Sequence, residues 1–206
     1  MYPVLKRLFD IIASLLGMLL VTPVFLALVI AIKITSPGNV FFKQKRVGCG
    51  KKHFNMLKFR TMRADAPKDI PTHLFRDPYA YITPVGRSLR RTSLDELPQL
   101  IHILKGDMSL VGPRPALWNQ DDLVAERDKY GANDVRPGLT GLAQIKGRDE
   151  LPIEVKAAYD GEYVKKMGLL LDLLIILQTV FSVTKGEGVK EGIGDRGDKQ
   201  QGSFKY

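Results

Sequence analysis

Residues 11–32 read IIASLLGMLLVTPVFLALVIAI, a run of 22 residues without a charge. As one straight helix it would measure about 33 Å, enough for a hydrocarbon core of about 30 Å. A signal peptide fits poorly: the run is long, and Lys33-Ile34-Thr35-Ser36-Pro37-Gly38 behind it offers no convincing small-residue cleavage site. Two features count against a simple crossing. Pro23 lies near the middle, where a helix-interior proline removes a backbone bond and costs about 3 kcal/mol unless the helix bends. Thr22 before it carries a hydroxyl that can bond a carbonyl freed by such a kink. Both flanks are also basic, with Lys6 and Arg7 before the run, and Lys33 and a cluster over 43–52 after it. Positive flanks prefer the cytoplasmic face, so a hairpin that enters and leaves on that face satisfies both ends. A kinked transmembrane helix is the competing reading, and the residues alone leave the two open.

The charge pattern points the same way. The chain has 206 residues and net charge +9, but residues 33–70 carry ten Lys or Arg against Asp65 and Asp69, a surplus of +8. From 71 to 206 the two signs balance. The excess therefore sits just behind the apolar run, which is a juxtamembrane pattern and argues against a nucleic-acid partner. The length suits one ordinary domain, and 45% hydrophobic residues can fill a core, which excludes disordered and fibrous classes. One cysteine, Cys49, excludes an intrachain disulfide, and it shares no metal-ligand spacing with His53, His73 or His102.

After Pro37-Gly38 the pattern predicts a β-hairpin, with Val40-Phe41-Phe42 and Phe54-Asn55-Met56-Leu57 flanking a Gly-Cys-Gly-Lys-Lys turn. Residues 64–84, with four prolines, read as a surface loop. Helices are expected over about 95–105 (ended by Gly106), 119–130 and 152–166. Gly112-Pro113-Arg114-Pro115 and Arg136-Pro137-Gly138-Leu139-Thr140-Gly141 read as rigid loops. A second apolar stretch, 167–184, is interrupted by Asp172 and Gln178 and suits the membrane interface or the core. The fold class is therefore α/β in the helix-rich α+β sense: a membrane helix with a break at Thr22-Pro23, a β-hairpin and amphipathic interfacial helices. Residues 1–36 form the membrane part, 37–188 the cytosolic domain and 189–206 a mobile tail.

The stretch richest in chemistry is RRTSLDELPQL, residues 90–100. Ser93-x-x-Glu96 matches a capping box, and Pro98 confines the helix start to the vicinity of Asp95. Asp95 and Glu96 then occupy a positive helix terminus close to Arg90 and Arg91, a setting that keeps a carboxylate ionised and draws anions. Neighbours in a helix face different ways, so two distinct roles are more natural than a shared proton. One carboxylate can act as a nucleophile toward phosphorus, with a metal ion neutralising the phosphates. Arg114 is locked between two prolines, and a fixed guanidinium can bind phosphate bidentately. Arg136 and Arg148 sit at similar turns. Each arginine singly reads as surface; three at rigid turns in one domain suggest an anionic ligand. Lys58, Arg60 and Arg63 either join them or face lipid headgroups. No Walker A loop, GxGxxG, GxSxG or HExxH is present.

The chain resembles the bacterial sugar transferases, specifically the small, single-catalytic-domain monotopic polyprenyl-phosphate phosphoglycosyl transferases. The resemblance runs from about Lys6 to Gly188 and rests on KRLFD (6–10), KFRTM (58–62), SLDELPQL (93–100), KGDMSLVGPRP (105–115), RPGLTGLAQ (136–144) and GR (147–148). It implies a re-entrant N-terminal helix that enters one leaflet from the cytoplasmic face of the bacterial inner membrane. The family's usual Ser-Pro break is Thr22-Pro23 here, which keeps the hydroxyl and the proline. It also implies the reaction: a sugar 1-phosphate passes from a UDP-sugar to undecaprenyl phosphate, releasing UMP, as the first membrane step of capsule, exopolysaccharide, O-antigen or glycoprotein synthesis. By similarity Asp95 is the nucleophile on the β-phosphorus and a Mg²⁺ ligand, and Glu96 is its dyad partner. Arg90 and Arg114 hold phosphates and Arg148 contacts the nucleotide; Arg136, Lys58 and Arg60 complete the candidate substrate-binding set. An N-acetylated sugar is favoured on family grounds alone, with Asp149-Glu150-Leu151-Pro152 on the sugar side. Anionic phospholipid is the expected surface, and a homodimer is left open. The alternatives are a nucleic-acid binder, a membrane scaffold without chemistry, and a membrane-associated glycosyltransferase that releases UDP.

Overall fold

The computed structural model describes residues 2–67, 77, 79–147 and 151–185. The chain opens with α1, Tyr2–Thr35, one helix that runs through Thr22 and Pro23. The expected break is thus not an interruption of the helix. Pro23 has no N–H for the carbonyl of Leu19, and the Thr22 hydroxyl donates to Met18 O at 2.6 Å, the carbonyl beside it.

β1 (Phe41–Val47) and β2 (His53–Phe59) pair antiparallel from Phe41↔Phe59 to Val47↔His53, joined by a 3-10 turn over Cys49–Lys51 in which Gly50 has φ 60°. The hairpin is longer than the apolar runs suggested, because Lys43 and Lys45 continue the alternation on its solvent face. The stretch after the Pro-Arg-Pro turn lies along the β1 edge: Val47 N–H donates to Ala116 O at 2.9 Å, and Arg46 bridges Leu117. α2 (Pro84–Arg91) starts at a proline and is capped by Thr83, whose hydroxyl accepts from Gly86 N–H at 2.9 Å.

A 3-10 helix, Leu94–Gln99, runs directly into α3, Leu100–Lys105, which ends at Gly106 with φ 93°. Two short strands follow, β3 (Ser109–Val111) and β4 (Gly138–Thr140), paired in parallel with α4 (Asp121–Asp128) between them. Neither strand is visible as an apolar run, since each holds only three residues. α5 (Leu142–Lys146), α6 (Ile153–Lys166) and α7 (Leu169–Lys185) complete the described chain.

α1 rests on this domain along its length. Met18 and Val21 pack on Met56, Leu100, Ile103 and Met108. Phe25, Leu28, Val29 and Ile32 pack with Phe59 and Leu89, the Phe25 and Phe59 rings lying 4.8 Å apart. Near its start the contacts are polar. Asp172 in α7, which the sequence presents as an interruption, is buried and accepts from Lys6, Tyr2 and Tyr163. Arg7 donates to Ile103 O and Leu104 O at 2.6 and 2.8 Å, and Asp10 accepts from Leu110 N–H at 3.0 Å. The other face of α1 leaves Leu8, Ile12, Leu16, Leu19, Leu20, Leu26 and Ile30 exposed, and α7 exposes Leu170, Leu174, Leu177, Val180 and Phe181. Among the described residues α1 is the one helix long and apolar enough to cross a membrane.

Candidate active site

Asp95 and Glu96 lie in the 3-10 helix, entered through Ser93 in the left-handed region (φ 56°). The expected capping box does not form. Ser93 makes no side-chain cap and instead turns the chain sharply, its carbonyl accepting from Glu96 N–H at 3.2 Å. A serine at positive φ is strained, and such positions gather at functional turns.

The two carboxylates have different surroundings. Glu96 is ion-paired twice: Oε1 lies 2.7 Å from Lys58 Nζ and 2.7 Å from Arg114 Nη2. Burial alone would raise its carboxyl, but Arg114 and Lys58 outweigh that and hold it well below the usual range. Asp95 is buried and, among the described residues, its carboxylate has no hydrogen bond or ion pair. Burial pushes it up to about 6, against the pull of Lys58; Glu96 adds to the rise, and Arg90 and Arg114 oppose it. The expectation of a setting that keeps a carboxylate ionised therefore applies most fully to Glu96, while Asp95 stays ionised near neutrality without a committed partner.

Both carboxylates open onto one groove of about 1590 Å³, whose walls also include Lys58, Arg60, Arg90 and Arg114. The same groove is lined further along by Phe9, Ala13, Leu110, Leu139, Leu173 and Ile176, from α1, the central strands and α7. It thus joins a cationic end to an apolar one.

Among the other candidates, Arg90 Nη1 lies 3.5 Å from Thr61 Oγ1. Arg60 is buried and donates to Pro37 O and Ser36 O, both at 2.7 Å, fastening the exit of α1 to β2. Arg136 is exposed and away from the groove, its Nε donating to Gly106 O at 2.9 Å beyond the end of α3. Arg148, Asp149 and Glu150 lie outside the described residues, as does the tail. Lys58 gains a role that sequence spacing did not reveal, since its partner Glu96 is far along the chain.

Among the described residues no group of three His, Cys, Asp or Glu gathers to cage a metal. The donor set still suits Mg²⁺, which commonly takes one or two carboxylates with waters and substrate phosphates. Asp95 has open lone pairs on the groove, whereas those of Glu96 are engaged.

A sequence model described as bacterial sugar transferase matches residues 1–186. The chain is 43% identical over 188 residues to the UDP-glucose:undecaprenyl-phosphate glucose-1-phosphate transferase of Caulobacter vibrioides, covering 86% of this chain and 69% of that protein. It is 36% identical over 197 residues to the exopolysaccharide production protein ExoY of Rhizobium meliloti, covering 89% and 87%. It is also 36% identical over 197 residues to the UDP-N-acetylgalactosamine-undecaprenyl-phosphate N-acetylgalactosaminephosphotransferase of Aeromonas hydrophila, covering 92% and 46%.

Proposed function

The chain belongs to the bacterial sugar transferase family, and from that premise we propose that it transfers a sugar 1-phosphate from a UDP-sugar to undecaprenyl phosphate and releases UMP. The observation that carries this reading is the division of labour between the carboxylates. Glu96 is fixed by Lys58 and Arg114, while Asp95 is buried, uncommitted and poised at about 6.

Asp95 is then the nucleophile. At neutral pH it is mostly ionised, yet more basic than an ordinary carboxylate, which favours attack. Its oxygen bonds to the β-phosphorus, the bond from that phosphorus to the bridging oxygen breaks, and UMP leaves with the electron pair. The resulting aspartyl phosphosugar is attacked by a phosphate oxygen of the lipid. The acyl–phosphate bond breaks, a diphosphate bond to the lipid forms, and the carboxylate returns. Neither step needs water. Arg114 and Arg90 flank the carboxylates and are suited to the phosphates, with Arg114 oriented by Glu96. Asp95 is also the residue suited to hold Mg²⁺, which when bound would neutralise diphosphate charge. The apolar stretch of the groove suits the prenyl chain.

Contacts of α1 support the membrane reading. Tyr2, Lys6 and Asp10 near one end of α1, and Val29 and Ile32 near the other, all engage one domain. A helix crossing a core of about 30 Å would carry its ends to opposite faces. α1 is therefore proposed to enter the cytoplasmic leaflet and return, placing the groove at headgroup height on the inner membrane. The relatives named for glucose and for N-acetylgalactosamine differ in sugar, so an acetamido preference stays a proposal.

The test is product release by the purified full chain in nanodiscs, with Mg²⁺, undecaprenyl phosphate and a panel of UDP-sugars. UMP from at least one sugar is expected, with a phosphosugar adduct on the intact protein. UDP as the product would overturn the reading in favour of an ordinary glycosyltransferase.

A further inference from the structure

His102 has no metal-ligand spacing in the sequence and does not line the groove, yet the fold encloses it between β2 and the turn after α3. The Leu57 N–H donates to its Nε2 at 3.2 Å, and its Nδ1 lies 2.9 Å from Asp107 Oδ2. A backbone amide has only a proton to offer, so Nε2 must present a lone pair. The neutral ring therefore carries its proton on Nδ1 and donates it to Asp107. The Phe54 ring covers one side at 5.4 Å between centroids. With both nitrogens engaged and the side chain 6% exposed, His102 is neither a metal ligand nor a base for substrate.

Its place in the chain gives it leverage. The amide it accepts belongs to Leu57, whose successor Lys58 is the residue that grips Glu96. His102 itself stands in α3, which continues without a gap from the 3-10 helix bearing Asp95 and Glu96. One imidazole thus ties the strand carrying the ammonium to the helix carrying the carboxylates. The Lys58–Glu96 contact sits at the far side of that tie, and Arg114 is held on the same Glu96 oxygen.

We propose that His102 is a positioning residue for phosphosugar transfer: by accepting the Leu57 amide it fixes Lys58 against Glu96, and through Glu96 it orients Arg114. The proposal rests on the functional reading above. His102 touches no reacting atom, and its effect is on the rate of the first transfer.

Three variants separate this role from simple packing. In His102→Gln an amide oxygen reaches the place of Nε2 and keeps the acceptor for Leu57. In His102→Asn the amide reaches only the place of Nδ1, keeping the Asp107 contact and losing Leu57. His102→Phe fills the volume with neither. The Gln variant is expected to keep kcat within about threefold, while Asn and Phe lose about 10- to 100-fold in kcat with KM for the UDP-sugar little changed, as displaced catalytic geometry does. Hydrogen exchange over residues 53–59 should quicken in Asn and Phe and not in Gln. Equal kcat in Gln and Asn, or a Phe variant near wild type, overturns the proposal. A wild-type chain that releases no UMP from any sugar would fault the functional reading instead, and the exchange measurement reads the Leu57 contact either way.

Discussion

Asp95→Asn is expected to abolish turnover and yet stabilise the protein. The fold holds the Asp95 carboxyl at about 6 against an ordinary 3.8, with burial the leading cause. That gap corresponds to about 3 kcal/mol of penalty for carrying the charge in the folded state at pH 7. The sign follows from proton counting. Between about pH 4 and 6 the folded chain binds this proton more tightly than the unfolded chain, so stability falls as pH rises through that window and stays lower above it. Asparagine carries no charge, but its buried amide also needs hydrogen bonds, which reduces the gain to about 1–2 kcal/mol. For a chain of this size the melting temperature should rise by about 2–8 °C at pH 7.5, and the advantage should vanish near pH 4. Thermal unfolding in nanodiscs at both pH values reads the stability; intact mass after incubation with UDP-sugar and Mg²⁺ reads the adduct. A melting temperature unchanged or lowered at pH 7.5 refutes the buried-charge argument, and an adduct on the variant refutes the nucleophile assignment.

Glu96→Gln removes the neighbouring charge that helps raise Asp95 and releases Lys58 and Arg114 to act on it, so the Asp95 carboxyl should fall. The wild-type rate should differ about tenfold between pH 7.5 and pH 5, as expected for a nucleophile titrating near 6. In the variant that ratio should shrink to about two or less while the overall rate drops, and a tenfold ratio that persists counts against the coupling. Lys6→Ala leaves Asp172 buried without its cation and should cost about 3 kcal/mol or more of stability, with most of it recovered in Lys6→Ala/Asp172→Ala; failure of the double variant to recover stability means that Lys6 and Asp172 are not an interacting pair. Removal of residues 1–36 should prevent folding of the remainder, checked by circular dichroism and proteolysis, since it strips cover from Leu100, Ile103 and Met56; a cooperatively folded fragment would sink that expectation.

The legibility of this fold in its sequence followed the length of each signal. The apolar run, the hairpin and the helix over 153–166 carry periodicity across many residues, and each lies close to where the pattern put it. β3 and β4 hold three residues apiece, and their pairing depends on a partner strand distant in sequence. Ser93 matched a capping signature, yet with Pro98 already limiting the helix the chain turns at Ser93 in the left-handed region and no cap bond forms. Arg60, Arg114 and Arg136 are alike in the sequence as candidate anion-binding arginines, and only three dimensions separate them. Arg60 is spent on the carbonyls of Ser36 and Pro37, Arg136 on Gly106, and Arg114 faces the carboxylate. Asp172 read as a flaw in an apolar helix because its partners, Lys6 and Tyr163, lie elsewhere in the chain.

The contacts join the apolar helix and the carboxylate turn into one assembly. α3 lies on α1: Arg7 caps the Ile103 and Leu104 carbonyls, and Met18 and Val21 pack beneath Leu100 and Ile103. The 3-10 helix bearing Asp95 and Glu96 is the direct continuation of that same α3. On the other side of the site, Arg60 fastens the exit of α1 to β2, the strand that presents Lys58. The face of α1 turned away from the domain exposes apolar side chains along its length, which suits the proposed membrane seat. The long apolar helix is therefore also the floor on which the carboxylates, the ammonium and His102 are assembled. On the membrane placement proposed above, a lipid phosphate would meet a site whose height is set by α1. The surplus of +8 over residues 33–70 belongs to the same arrangement, since it begins where α1 ends and includes the Lys58 that grips Glu96.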